Sequence, residues 1–98
     1  MSTATDLTRD YRAALLRFVS TGSEQARSTG YDIGRRAVED SVSLLDLGRV
    51  HHEILIEAIR DSPPEDHVPV ARAASEFFLD VLSAYDLAHG ARHPADSD

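Results

Sequence analysis

The amino-acid sequence predicts an all-α fold, a compact antiparallel four-helix bundle that dimerises. Apolar residues recur at helical spacing in four segments, and no strand-like alternation of apolar and polar residues stands out. The composition is aliphatic, with three Phe, three Tyr and no Trp, and the four segments are joined by short connections, as in simple helical bundles. One domain of 98 residues buries only about 60–65% of its unfolded surface, so self-association would help to stabilise it.

Apolar periodicity and boundary residues predict the first two helices. Helix 1 covers about residues 5–20 and is ended by Gly22. Ser23 is the expected N-cap of helix 2, with Glu24 in the first turn. The face of helix 2 that should be buried is rich in small residues, which would let a neighbouring helix approach closely. The expected buried stripes are Leu7, Tyr11, Ala14, Leu15 and Phe18 in helix 1, and Ala26, Gly30, Ile33, Gly34, Ala37 and Ser41 in helix 2, with Ala26, Gly30, Gly34 and Ala37 as the helix-packing seam.

A break between helices 2 and 3 is predicted near Val42. Ser43 offers an N-cap and Asp46 a first-turn acid, so helix 3 should start there and run to about residue 61. A single continuous helix is the alternative.

Prolines indicate where helix 4 starts. Residues 62–66 form a linker, and helix 4 begins between Pro64 and Pro69, because proline is tolerated only in the first turn of a helix. Gly90 occupies a C-cap position. Residues 1–90 are therefore predicted to form a single helical regulatory domain, and residues 91–98 a disordered tail. The expected buried stripe of helix 4 is Val70, Ala74, Phe77, Val81, Tyr85 and Ala88.

Charge and composition argue against several classes of function. Arginine supplies all ten basic residues, and 17 carboxylates bring the formal charge to −7, which disfavours a nucleic-acid partner. The absence of cysteine rules out disulfides and thiolate metal sites. No apolar stretch approaches the roughly 20 residues that a membrane span needs. Because the N-terminus lacks the order of a signal peptide, a cytoplasmic location is expected, with no membrane partner.

The tripeptide His51-His52-Glu53 raises the question of a metal site. Neighbouring residues of a helix point roughly 100° apart, so His51 and Glu53 face nearly opposite ways. Di-metal bundles need inward Glu-x-x-His pairs on more than one helix, whereas this chain has only Asp86-x-x-His89 near that spacing. The sequence therefore predicts no metal and no cofactor, and a metal-binding or small-ligand bundle that uses His51, His52 or His89 is an alternative.

Histidine phosphotransfer is the second alternative, because phosphotransfer modules are also four-helix bundles with one exposed histidine. His51 lies in the middle of the apolar face of helix 3, which favours a hydrogen-bonded core histidine. His52 is more accessible and would be the phosphate carrier. No catalytic motif is found, so the chain is not expected to be an enzyme.

Helix 3 carries more apolar surface than a bundle core requires. Its polar residues occupy a strip of about 80°, and a small monomer seldom leaves a second apolar flank in water. The prediction is a partner or dimer interface; a deeply buried helix 3 would explain the same pattern. The expected core flank is Leu44, Leu47, His51, Ile54, Leu55 and Ala58, and the expected interface is Leu45, Gly48, His52, Ile56 and Ile59, together with Leu16 in helix 1 and Leu79 in helix 4.

Five segments resemble the N-terminal domain of the RsbU-type serine phosphatases, which regulate general-stress sigma factors by partner switching. They are residues 31–37 (YDIGRRA), 43–47 (SLLDL), 51–53 (HHE), 77–82 (FFLDVL) and 85–89 (YDLAH), and the resemblance spans about residues 10–92.

The resemblance implies a non-catalytic, dimerising helical domain that receives an activating switch protein, a small kinase-like partner. It also implies a phosphatase domain downstream. Its metal-dependent chemistry is not carried over, because that domain is missing from this sequence. A coiled-coil linker is not carried over either, because residues 90–98 show no heptad pattern. A free-standing adaptor and a fragment of a larger phosphatase are both compatible with the sequence.

Overall fold

The computed structural model describes residues 3–92 and contains four α-helices in this part of the chain. They are α1 (Thr3–Thr21), α2 (Glu24–Glu39), α3 (Leu44–Arg60) and α4 (His67–Arg92), with a short 3₁₀ turn at Pro64–Asp66. No strand occurs within residues 3–92. The prediction of an all-α four-helix bundle is confirmed.

Local capping chemistry sets the helix boundaries that the sequence predicted. The hydroxyl oxygens of Ser23 and Ser43 each accept a hydrogen bond from the backbone N–H three residues later, at 3.1 Å, which satisfies a donor that the first turn leaves free. Gly22 has a φ of 64° and ends α1 by donating its N–H to the Phe18 carbonyl. A left-handed residue after the last turn is the usual helix C-cap, and glycine adopts it without strain.

Helices α2 and α3 are separate, and Ser41 lies in the turn between them. Its φ is 58°, and the Val42 N–H bonds back to the Ala37 carbonyl at 2.8 Å. The expectation that Ser41 belongs to the buried stripe of α2 is wrong: the chain has already left the helix, and Ser41 is exposed.

The prediction of Gly90 as a C-cap is also wrong, because α4 continues through it to Arg92. Gly90 does not have a positive φ, whereas Gly22 does. Residues 93–98 of the expected tail lie outside the described residues. The start of α4 agrees with the sequence, since Pro69 falls in its first turn.

The bundle centres on a close contact between α2 and α4. A Cβ atom placed on Gly30 would lie 3.0 Å from the ring of Phe77, and one on Gly34 would overlap the Val81 carbonyl oxygen. All four residues of the predicted seam, Ala26, Gly30, Gly34 and Ala37, are buried. The largest fully buried side chains are Leu7, Tyr11, Leu15, Ile33, Leu47, Phe77 and Val81.

Candidate protein-binding surface

Helix α3 packs mainly against α1 and α4, and it buries only one narrow face. The buried residues are Leu47, His51, Ile54 and Ala58, which recur at the i, i+3, i+4 spacing of one helical face. A large part of the apolar surface of α3 therefore remains outside the bundle.

That exposed part is the α3 surface, defined here as Leu44, Leu45, Gly48, His52, Ile56 and Ile59. Leu45 is 65% exposed, Leu44 50% and Ile56 48%. His52 is exposed, whereas Gly48 and Ile59 are half-buried. By the 100° step of a helix, these six residues cover about 120° between the buried face and the charged strip.

Leu44 corrects the expected division of helix 3. The sequence placed it in the core flank, but the structure leaves half of its side chain in solvent. Leu55, which the sequence also placed in that flank, is half-buried and packs against the core. The apolar area outside the bundle is therefore wider at the start of α3 than expected.

A shallow groove of about 450 Å³ runs over the first half of α3. A Cβ atom on Gly48 would meet nothing within 4 Å, so this glycine serves no close contact inside the chain and leaves room for one from outside. Leu44 also lines a second groove, which it shares with Leu82 and Tyr85 of α4. The first groove is lined by Leu44, Leu45, Gly48, Arg49, His52 and Glu53.

The two predicted outlying interface residues have different environments. Leu79 is 62% exposed on α4. Leu16 is partly buried and packs against the hydrophobic core, so its side chain is used largely within the molecule.

His51 is the hydrogen-bonded core histidine that the sequence favoured. It is 9% exposed, and its Nδ1 lies 2.6 Å from the Tyr11 hydroxyl. Its ring stacks on Phe78 with centroids 4.0 Å apart. Burial lowers the pKa of His51 to about 4, because a charged ring would lose hydration at this position, and repulsion from the neighbouring His52 makes a smaller contribution.

The structure brings together no set of metal ligands among the residues it describes: no three His, Asp or Glu side chains there could hold one ion. His51 is directed into the core and His52 lies on the exposed side of the same helix. The two histidines that made the sequence suggestive are therefore separated by helix geometry.

Two features were not predicted from the sequence. Asp80 is only 9% exposed and accepts a hydrogen bond from Nε of Arg27 at 3.0 Å, which joins α4 to α2. A groove of about 480 Å³ lies between the same helices, and the exposed side chains of Tyr31 and Leu87 line it. The helical pattern of α4 indicated neither feature. It showed only that Asp80 and Leu87 fall outside the apolar stripe of this helix.

Comparison with known proteins identifies the family. A family model described as the N-terminal domain of the phosphoserine phosphatase RsbU matches residues 9–88, while no curated protein and no solved structure matches significantly. None of the helices in the described part of the chain combines the length and apolarity needed to cross a membrane. The match spans most of the chain and all four helices, so the chain belongs to the family of RsbU N-terminal domains.

Proposed function

We propose that this chain is a non-catalytic regulatory domain that binds other proteins through the α3 surface. In this role the chain forms a homodimer and binds an activating, kinase-like switch protein, as in the partner switching of the stress response. The observation that carries the proposal is the exposure of Leu44, Leu45 and Ile56 on one side of a single helix.

Hydrophobic burial supports a binding role for this surface. Covering a contiguous apolar surface of a small domain is favourable, because each Å² of apolar surface removed from water contributes about 25 cal/mol. Arg49 and Glu53 lie at the edge of the groove, which gives it an apolar floor and a charged rim, as in many protein interfaces.

Family membership supports a regulatory rather than a catalytic role. The matched region is an N-terminal domain, a part distinct from the phosphatase domain that gives the family its name. A partner that binds such a domain would transmit its signal by contact, and the α3 surface is the contact area that the proposal assigns.

The test is capture of a kinase-like protein from native lysate on the immobilised chain, with the captured proteins identified by mass spectrometry. Ile56→Asp should abolish capture, because it puts a charge on the α3 surface. Val68→Asp is the matched control, since Val68 is 67% exposed and lies on α4. Equal capture by wild type and Ile56→Asp would overturn the assignment of the surface.

Phosphotransfer through His52 makes a different prediction. Incubation with acetyl phosphate would then leave an acid-labile phosphate on the wild type and none on His52→Gln. The proposed binding role predicts no labelling of either protein. Labelling that requires His52 would replace the binding proposal with a phosphotransfer function.

A further inference from the structure

We propose that His51 makes the packing of α3 sensitive to acid, so that protonation of its ring releases α3 from α1 and α4. Because α3 carries the proposed binding surface, mild acid would then remove that surface from its folded context. This consequence rests on the proposed function, whereas the release of α3 does not.

The His51 ring lies where three helices meet. Its Nδ1 is 2.6 Å from the hydroxyl of Tyr11 in α1, and its face lies against Phe78 of α4 with an angle of 9° between the rings. Tyr11 in turn meets Phe77 edge-on, with centroids 5.4 Å apart. One titratable ring on α3 thus contacts both helices against which α3 packs.

A neutral imidazole with its hydrogen on Nε2 lets Nδ1 accept a hydrogen bond from the Tyr11 hydroxyl. Burial raises the pKa of the Tyr11 phenol, so the phenol keeps its proton, and with this tautomer it donates a hydrogen bond to Nδ1. A protonated ring carries hydrogen on both nitrogens and can only donate. Protonation therefore forces the Tyr11 hydroxyl to turn and accept, and its own hydrogen must find another acceptor in the core, which is costly.

The groups around the ring oppose a positive charge or leave it uncompensated. Tyr11 from α1 is neutral, and Phe78 from α4 is apolar. The neighbouring His52 on α3 adds repulsion when it is charged. The ion pair between Arg12 of α1 and Glu57 of α3 also links these helices, and its two charges compensate each other.

The sign of the effect follows from the two protonation equilibria. His51 has a pKa of about 4 in the closed bundle and would recover a value near 6.5 on opening. The free energy by which His51 favours the closed state therefore has its full value above about pH 6.5, and it decreases as the pH falls towards 4. At pH 5 the opening equilibrium should be roughly 20-fold larger than at pH 7.

Release should be local, because α3 makes fewer contacts with the bundle than α2 and α4 make with each other. Elements with few packed neighbours open at lower free energy than the core to which they attach. The seam between α2 and α4 includes the close approach of Gly34 to the Val81 carbonyl, which involves no group of α3, and it should stay closed.

Native-state hydrogen exchange on the full chain tests the proposal, with amide rates corrected for intrinsic chemistry between pH 7 and 4.5. Amides of α3 should open roughly 20-fold more at pH 5 than at pH 7, while those of the α2–α4 seam change little. His51→Leu should remove this dependence, whereas His52→Gln, which removes only the smaller cause of the lowered His51 pKa, should keep most of it.

The same α3 response in wild type and His51→Leu would overturn the proposal, as would simultaneous opening of α2 and α4. If His51→Leu does not fold, NMR titration of the wild-type imidazole decides: α3 must open as His51 takes up its proton. The experiment needs no partner. A positive result together with undisturbed capture by Ile56→Asp would retain the acid response and reject the proposed binding surface.

Discussion

Gly34 shows how a missing side chain sets the distance between two helices. A Cβ atom at this position would overlap the carbonyl oxygen of Val81 and lie 2.9 Å from the Cβ of Ala84. Backbone cannot yield as the tip of a flexible side chain can, so even one methyl group would push α2 and α4 apart. At Gly48 an added Cβ would have open space, although both glycines lie inside helices.

Alanine at these two glycines should therefore have opposite effects. Gly34→Ala is expected to lower the free energy of unfolding by about 1–3 kcal/mol through overpacking. Gly48→Ala should raise it by up to about 1 kcal/mol, because alanine has the higher helix propensity. Urea unfolding followed by circular dichroism measures both, and equal midpoints for the two variants would contradict the close contact at Gly34.

The hydroxyl of Tyr11 should contribute more to stability than that of Tyr85. Tyr11→Phe removes a buried hydrogen bond of 2.6 Å and leaves Nδ1 of His51 unsatisfied, which should cost about 1–2 kcal/mol at neutral pH. Tyr85→Phe removes only a 3.4 Å contact with the Val42 carbonyl, so its cost should be smaller. Chemical unfolding of both proteins at pH 7.5 gives the comparison; a larger loss for Tyr85→Phe would be inconsistent with a buried Tyr11–His51 bond.

At the scale of the helix, the boundaries depend on single polar residues. The Ser43 hydroxyl caps α3 through the N–H of Asp46, two residues after the left-handed residue Ser41. This cap fixes where α3 begins, and it therefore places Leu44 and Leu45 in the first turn of the helix.

Ser43→Ala should lower the free energy of unfolding by about 1 kcal/mol, the usual value of an N-cap. Ser83→Ala is the matched control, because Ser83 is exposed within α4 and alanine there favours the helix. Thermal unfolding distinguishes the two. A Ser83→Ala protein that melts below Ser43→Ala would show that the cap contributes little.

Helix starts could be predicted from sequence because capping is local chemistry. Ser23 and Ser43 bond to amides only three residues away, so no knowledge of the fold was needed. The prediction of Gly90 as a C-cap was wrong because a glycine permits a left-handed cap without requiring one. The helix passes through it to Arg92.

Residue environments between helices were harder to predict. A helical wheel gives the direction of Leu44 around the axis of α3, but not how far α1 and α4 cover its first turn, and the side chain is half exposed. The pairing of Asp80 with Arg27 joins residues far apart in sequence and had no local signal. Leu45, His52 and Ile56 were placed correctly outside the core, because the four-residue spacing of the buried face left them no room in it.

For the molecule as a whole, a thin core and an apolar outer surface favour association. Helices α2 and α4 pack closely at Gly30 and Gly34, while α3 presents Leu45 and Ile56 outward. A second copy of the chain could cover these side chains and remove apolar area from water.

The free protein is therefore expected to be a dimer at micromolar concentration. Sedimentation should give about twice the 10.7 kDa mass of the chain, with dissociation on dilution. A single species at the monomer mass throughout the micromolar range would contradict self-association.

If the α3 surface is an association surface outside the core, a charge placed on it should disrupt assembly but not folding, and Ile56→Asp is the test. Circular dichroism and light scattering on this variant, beside Val68→Asp, separate folding from assembly. We expect native helicity in both variants, with assembly lost only in Ile56→Asp. Lost helicity in Ile56→Asp would show that Ile56 belongs to the core, since a buried charge would cost several kcal/mol in so small a domain. Native helicity with unchanged assembly and unchanged partner capture would contradict the binding role of the α3 surface.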